Sequence, residues 1–182
     1  MYPNGINGIV ASDVDAGFAR WACDFWTSTA DHPWGGAINP VSDINNWEGE
    51  IGDGEQYSQG IYNFVVNWNG NSENGYFADW LCDGNNCLED IKAVELCYNF
   101  EHNGFDDWYL PHIKTLYLMY ELKEQGLISN FGNSSGCYDD GSELYWSSSG
   151  DGGNGGIVRM DGGQVLQGSF GGSLRVRPVR KF

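Results

Sequence analysis

"NGFDDWYLPHIKTLYLMYE", Asn103 to Glu121, is the stretch on which the reading of this 182-residue chain turns. Its second half is periodic: Ile113, Leu116, Tyr117 and Tyr120 recur at three- and four-residue intervals, one face of a helix. The spacing predicts a helix from Pro111 to about Gln125. Pro111 suits the first turn, where its missing N–H costs nothing, and Gly126 stops it. Just upstream, "LEDIKAVELCYNF" (Leu88 to Phe100) puts Leu88, Ile91, Val94 or Glu95, Cys97 and Tyr98 on a second stripe. That helix ends at "HNG", with Gly104 suited to a left-handed cap.

On either side the pattern changes. Up to about Gly75, turn signals such as "PNG", "DHPWGG" and "NWNGNSENG" separate short apolar runs, and "GIYNFVVNW" is the clearest early strand. "DVDAG" (Asp13–Gly17) begins like an EF-hand loop but lacks the rest of the pattern, so it reads as a turn. After Gly126, "ELYWSSS" is a strand. "GIVRMDGGQVLQGSF" is a hairpin turning at "DGG", with Val158 and Met160 inward and Ile157, Arg159 and Asp161 outward. "SLRVRPVRKF" is a last strand with Leu174, Val176 and Val179 opposed to Arg175, Arg177 and Arg180, at a sheet edge or ending at Pro178. Helices followed by a β meander make the fold α+β, and the chain reads as a single domain, 1–182.

Charge is uneven. Up to Leu144 there are four basic and 23 acidic residues; from Tyr145 on there are five basic and two acidic. The net charge of −16 argues against nucleic acid or anionic lipid as a partner of the whole surface. The basic tail is expected to dock onto acidic residues of its own body. No stretch approaches the roughly 20 apolar residues of a membrane span, and "MYPNGINGIV" lacks the regions of a signal peptide. A virion or cell surface is the expected location. Five cysteines cannot all pair within one chain; a local disulfide between Cys82 and Cys87 is left open.

Catalytic patterns are missing. His32, His102 and His112 show no metalloprotease spacing, "SSS" has no flanking nucleophile-elbow glycines, and "GDGGNGG" carries no GK[ST]. Asp106 and Asp107 are adjacent, which in a strand points them to opposite faces. The chain is expected not to be an enzyme and to need no cofactor or metal.

Three ordered motifs, "NGFDDWYLPHIKTLYLMYE", "LYWSSS" and "RVRPVR", resemble a C-terminal domain family of bacterial and archaeal surface proteins with a C-type lectin-like fold. The resemblance covers about Leu88 to Phe182, and residues 1–87 match only loosely. It implies two helices packed on a small antiparallel sheet, loop-rich throughout. Family members often carry Ser or Thr after "LP" and an acid three residues on. Here these are His112 and Thr115, so the helix start is expected to be held otherwise, by Asp106 or Asp107 and the fixed φ of Pro111. A calcium-dependent sugar lectin would carry EPN or QPD with WND, all missing here ("INP" at Ile38–Pro40 is isolated). The related formylglycine-generating oxidases need a C-terminal cysteine pair, and no cysteine follows Cys137.

The tail sharpens the resemblance. From Gly150 to Gly172 ten of 23 residues are glycine, although glycine loses most conformational freedom on folding. Variable proteins of diversity-generating retroelements share this architecture, and their last gene segment is rewritten at template adenines, which turns Asn codons into Gly, Asp, Ser, Ile, Val, Leu or Arg. The resemblance implies a ligand-display protein with a variable region at about 145–180, its target a protein or cell-surface structure, bound by an oligomer where avidity is needed. The displayed positions would be Asp151, Gly152, Gly153, Gly155, Gly156, Ile157, Arg159, Asp161, Gly162, Leu166, Gly168, Gly171, Gly172 and Leu174. Ile157, Arg159 and Leu166 would be the anchors. The glycines would then be products of diversification and not requirements of folding. The alternative is a sugar- or protein-binding surface domain of the same fold that is not diversified.

Overall fold

Helix α3 (Ile113–Glu124) forms where the periodicity puts it, burying Ile113, Leu116 and Met119. It belongs to a computed structural model that describes residues 8–21, 43–68, 91–132, 143–151, 154–169 and 172–182. Gly126, at φ +71°, ends it: its N–H reaches Lys123 O and that of Leu127 reaches Leu122 O, the paired bonds of a Schellman cap. Pro111 precedes the helix. His112 is the N-cap, its Nδ1 accepting from Lys114 N at 3.2 Å. Neither Asp106 nor Asp107 holds this helix start, because an imidazole acceptor does what a serine hydroxyl would do.

The helix predicted over 88–100 is shorter. α2 spans Ala93–Tyr98, with Lys92 as N-cap and Glu95 Oε2 accepting from the Lys92 N–H at 2.8 Å. Gly104 does not cap it. Asn103 (φ +55°) and Gly104 (φ +79°) instead form a two-residue turn closed by reciprocal bonds between His102 and Phe105, the usual use of Asn-Gly. A larger correction lies upstream: "GIYNFVVNW" is not a strand but the second part of α1 (Gly54–Trp68). Read from Gly54, the run places Tyr57, Ser58, Ile61 and Tyr62 on one face, and burial of Ser58 and Ile61 outweighs the β-propensity of single residues. The Ser58 hydroxyl donates to Leu110 O and accepts from Leu110 N, pinning α1 to the loop before α3.

The strands are β1 (Ile9–Ala11), β2 (Gly17–Arg20), β3 (Leu144–Asp151), β4 (Asn154–Arg159), β5 (Val165–Ser169), β6 (Ser173–Val176) and β7 (Val179–Lys181). Five form one sheet in the order β2-β6-β3-β4-β5, while β1 and β7 pair as a separate antiparallel ribbon. The sheet is mixed and not wholly antiparallel, because β3 meets β6 in parallel at Tyr145 and Arg175. Pro178 stands where the tail leaves one sheet for the other. Alternation sorts the core onto the two sheet faces. Trp146, Ile157, Leu174 and Val176 pack with Trp21, Ile61, Val94 and Cys97; Tyr145, Val158, Met160 and Val165 pack with α3. The architecture is α+β. Among the described residues no helix is long and apolar enough to cross a membrane.

Candidate functional site

The β4–β5 hairpin carries most of the proposed display positions. Its turn runs through Met160 to Gln164, with Gly163 at φ +69° and Lys123 Nζ of α3 donating to Met160 O at 2.7 Å. Val158 and Met160 are fully buried, as the alternation requires. The opposite face is not open.

Gly155 and Gly168 face each other across the ladder and together leave a slot. A Cβ on Gly155 would lie 2.7 Å from Trp21 Cγ and 2.9 Å from Trp146 Cζ3; one on Gly168 would lie 2.5 Å from Ile157 Cδ1 and 3.2 Å from Trp146 Cη2. The indole of Trp146 donates to Ala19 O at 2.9 Å and that of Trp21 donates to Ser147 O, so both rings are oriented as well as buried. On the other face, a Cβ on Gly156 would lie 2.8 Å from Ile113 Cδ1 and from Ser147 Oγ. Gly150 is tight against Trp21 in the same way, at 2.9 Å from Cη2. At Gly150 and Gly155 the obstacle is an indole ring, and at Gly156 and Gly168 it includes the tip of an isoleucine side chain; these glycines let a neighbouring ring or helix come close to the backbone.

The expected display surface is therefore corrected. Gly155, Gly156, Ile157, Gly168, Gly172 and Leu174 are buried, Ile157 and Leu174 within the core beside Trp146. Ile157 was predicted to face outward by simple alternation, but both faces of β4 are covered, so alternation chooses between two interiors. Gly152, Gly153 and Gly171 lie outside the described residues, as do His32, Ile38–Pro40, the Leu88–Asp90 start of the predicted helix, and Cys23, Cys82, Cys87 and Cys137. Asp151 ends β3. What remains outward is Asp161, Gly162 and Leu166, with Arg159 partly exposed.

Arg159 is not an open anchor either. Its Nε and one terminal nitrogen donate to the two oxygens of Asp161 at 2.7 and 2.9 Å. The guanidinium holds that carboxyl below the usual carboxylate range. Of the three anchors, Leu166, 37% exposed, is the one that offers apolar surface.

Sequence reasoning missed the strongest polar site. Asp15, read as part of a turn, accepts from Arg177 Nε (2.6 Å), Arg175 (2.8 Å) and Tyr145 OH (2.9 Å). Arg177 is 1% exposed, not outward; its other nitrogens donate to Ser12 O and Asn130 O, and the guanidinium lies 4.6 Å above the Phe131 ring. Burial, then the nearby Asp15 charge, pushes the Tyr145 phenol far up. The signal was available in the tail: arginines at alternate positions of a buried strand demand an acid. The expectation that the tail docks on the protein's own acids holds, with Arg180 on Asp107 (2.6 Å) and Lys181 on Glu55 (2.8 Å) completing it.

Two serines of "YWSSS", Ser147 and Ser149, are structural. Ser149 Oγ accepts from Ile113 N at 3.2 Å and Ser147 Oγ donates to Gly156 O at 2.9 Å, joining β3 to α3 and β4. A scan against models of known protein families finds no match to this chain, and neither does a search of characterised proteins.

Proposed function

We propose that the chain is a binding protein of C-type lectin-like fold, not an enzyme, that meets a protein or cell-surface target with the exposed end of its β4–β5 hairpin. The fold reading is supported by the α+β architecture, by the pairing of β1 with β7, and by the way the three motifs meet: "WYLP" contacts α1 and β7, "YWSSS" fixes α3, and "RVRPVR" crosses between the sheets. The observation that carries the functional reading is the division of the hairpin into a frame buried at Gly155 to Val158 and at Gly168, and an exposed end formed by Asp161 and Gly162 of the turn and Leu166 of β5. Substitutions at such exposed positions usually shift stability by no more than roughly 0.5 kcal/mol, so this end can vary while the frame stays.

Retroelement diversification, where it operates, is confined in this proposal to the outward positions. The undiversified alternative is favoured by the buried glycines, whose missing side chains are explained by Trp21 and Trp146 without any rewriting of codons. Sequencing the locus separates the two. A near-copy of the tail codons with adenines at Asp161, Gly162 and Leu166, a reverse transcriptase gene, and alleles that differ there but keep Gly155 and Gly168 support diversification. A locus without the repeat leaves the undiversified binding domain. Alleles varying freely at Gly155 or Gly168 would sink the division into frame and display.

A further inference from the structure

We propose that the groove between β1, the His102–Phe105 turn and β7 binds a basic side chain, lysine or arginine, presented by a segment of a partner protein. The groove has a volume of about 420 Å³ and is walled by Val10, Asn103, Phe105, Trp108 and Arg180, with Asp13 on one side. Its size falls in the roughly 300–1,000 Å³ range of specific clefts. Val10 is 41% and Phe105 44% exposed, so large apolar side chains are left open around one depression.

The polar end is acidic. The Asp13 side chain is 69% exposed; its Oδ1 is hydrogen-bonded to His102 Nε2, so a ligand cation would share this carboxylate with the imidazole. Glu101 and Asp106 on the adjoining loop are exposed, and the whole chain carries −16. That field attracts a cation and repels an anion. An apolar trough that leads to a carboxylate matches a side chain with an alkyl stem and a charged head. The molecule already contains one such contact. The Arg180 guanidinium lies 3.8 Å from the centre of the Phe105 ring and donates to both oxygens of Asp107, at 2.6 and 2.8 Å. A ligand cation at Asp13 repeats that chemistry on the other side of the groove.

The groove shares no residue with the hairpin end from Arg159 to Leu166, so failure at one surface leaves the other standing. The test is titration of the isotope-labelled protein with the blocked tripeptide acetyl-Gly-Arg-Gly-amide, its Glu and Ala counterparts, and methyl α-mannoside. Saturable shifts of the Trp108 indole N–H and the Asn103 and Phe105 amides, seen with the Arg peptide and weakened by added salt, are the expected result. Asp13→Asn should weaken the Arg peptide by about fivefold with its melting midpoint little changed. Equal shifts with the Ala or Glu peptide, shifts with the mannoside alone, no shifts, or unchanged affinity in Asp13→Asn would each overturn the proposal. Because the mapping is done on the wild-type protein, it does not depend on the variant folding.

Discussion

Strands β4 and β5 and strands β6 and β7 belong to one continuous tail, yet they achieve close packing by opposite means. The hairpin admits Trp21 and Trp146 by having no side chain at Gly155 and Gly168. The segment that follows, β6 and its link to β7, brings in long cationic side chains and satisfies them: Arg177 reaches Asp15 and two backbone carbonyls, and Arg175 shares the same carboxylate. The first device fails by overfilling, the second by leaving a charge unpaired. Their costs differ accordingly, and substitutions can rank them.

The largest effect is expected at Asp15. Asp15→Ala leaves Arg177 buried without its carboxylate, which in such pairs costs about 3–5 kcal/mol. Asp107→Ala breaks an equally short pair with Arg180, but Asp107 is 54% exposed, so the loss should be about 0–1 kcal/mol. Urea denaturation of the two variants compares them directly. Similar losses would mean that the inner pair gains nothing from its burial.

Next come the glycines. Gly155→Ala and Gly168→Ala each place a methyl group where an indole or the Ile157 side chain already lies, an overpacking worth about 1–3 kcal/mol. Gly162→Ala meets only the side chain of Gln164, which can move, so its effect should stay within about 0.5 kcal/mol. If all three variants were equally stable, the slot would be filled by movement of the rings. The tail glycines would then be as free as the diversification reading requires.

This contrast also explains what could be read from the chain beforehand. α3 was legible because its apolar period runs for three turns and Gly126 marks its end. The inward residues Val158, Met160 and Val176 were legible because strand alternation identifies one face of a strand reliably, whereas Leu174, placed among the displayed positions, is buried beside Trp146. The opposite face was misread, since alternation does not say whether Trp21, far away in sequence, covers it. α1 was missed because "GIYNFVVNW" was read without the polar "GEQYSQ" before it, whose Tyr57 and Ser58 continue the buried stripe. Of the candidate site, the turn at Asp161 and Gly162 was read correctly as exposed. The tail arginines called for an acid, but which acid was not legible, because Asp15 lies more than a hundred residues from Tyr145, Arg175 and Arg177 and only the fold brings it to them.

Of the three principal losses, at Asp15, at the slot glycines and at His112, the smallest concerns a contact that uses neither glycine nor a charge. His112 is buried at the start of α3; Nδ1 accepts from Lys114 N, and Nε2 donates to Glu48 O at 2.9 Å. Both bonds require the neutral ring with its proton on Nε2, since protonating Nδ1 removes the acceptor that caps the helix. Burial, the largest influence, lowers its pKa from the ordinary 6.5. The unfolded chain therefore takes up this proton first as pH falls. The stabilisation is complete above about pH 6.5 and is lost as pH drops from there through the folded-state value, with no further loss from this residue below it. His112→Asn keeps a capping oxygen but loses the Nε2 bond to Glu48 O, and should cost about 1 kcal/mol, the typical net contribution of one hydrogen bond. At roughly 2–4 °C per kcal/mol for a domain of this size, calorimetry resolves the change. The variant's midpoint should also vary less than the wild type's just below pH 6.5, while both should fall again in acid as Asp107 and Asp161, whose pKa values are lowered by their arginines, take up protons. A wild-type profile flat across the upper window would show that the imidazole is not held neutral at this cap, and that the helix start, like the tail, relies on charge.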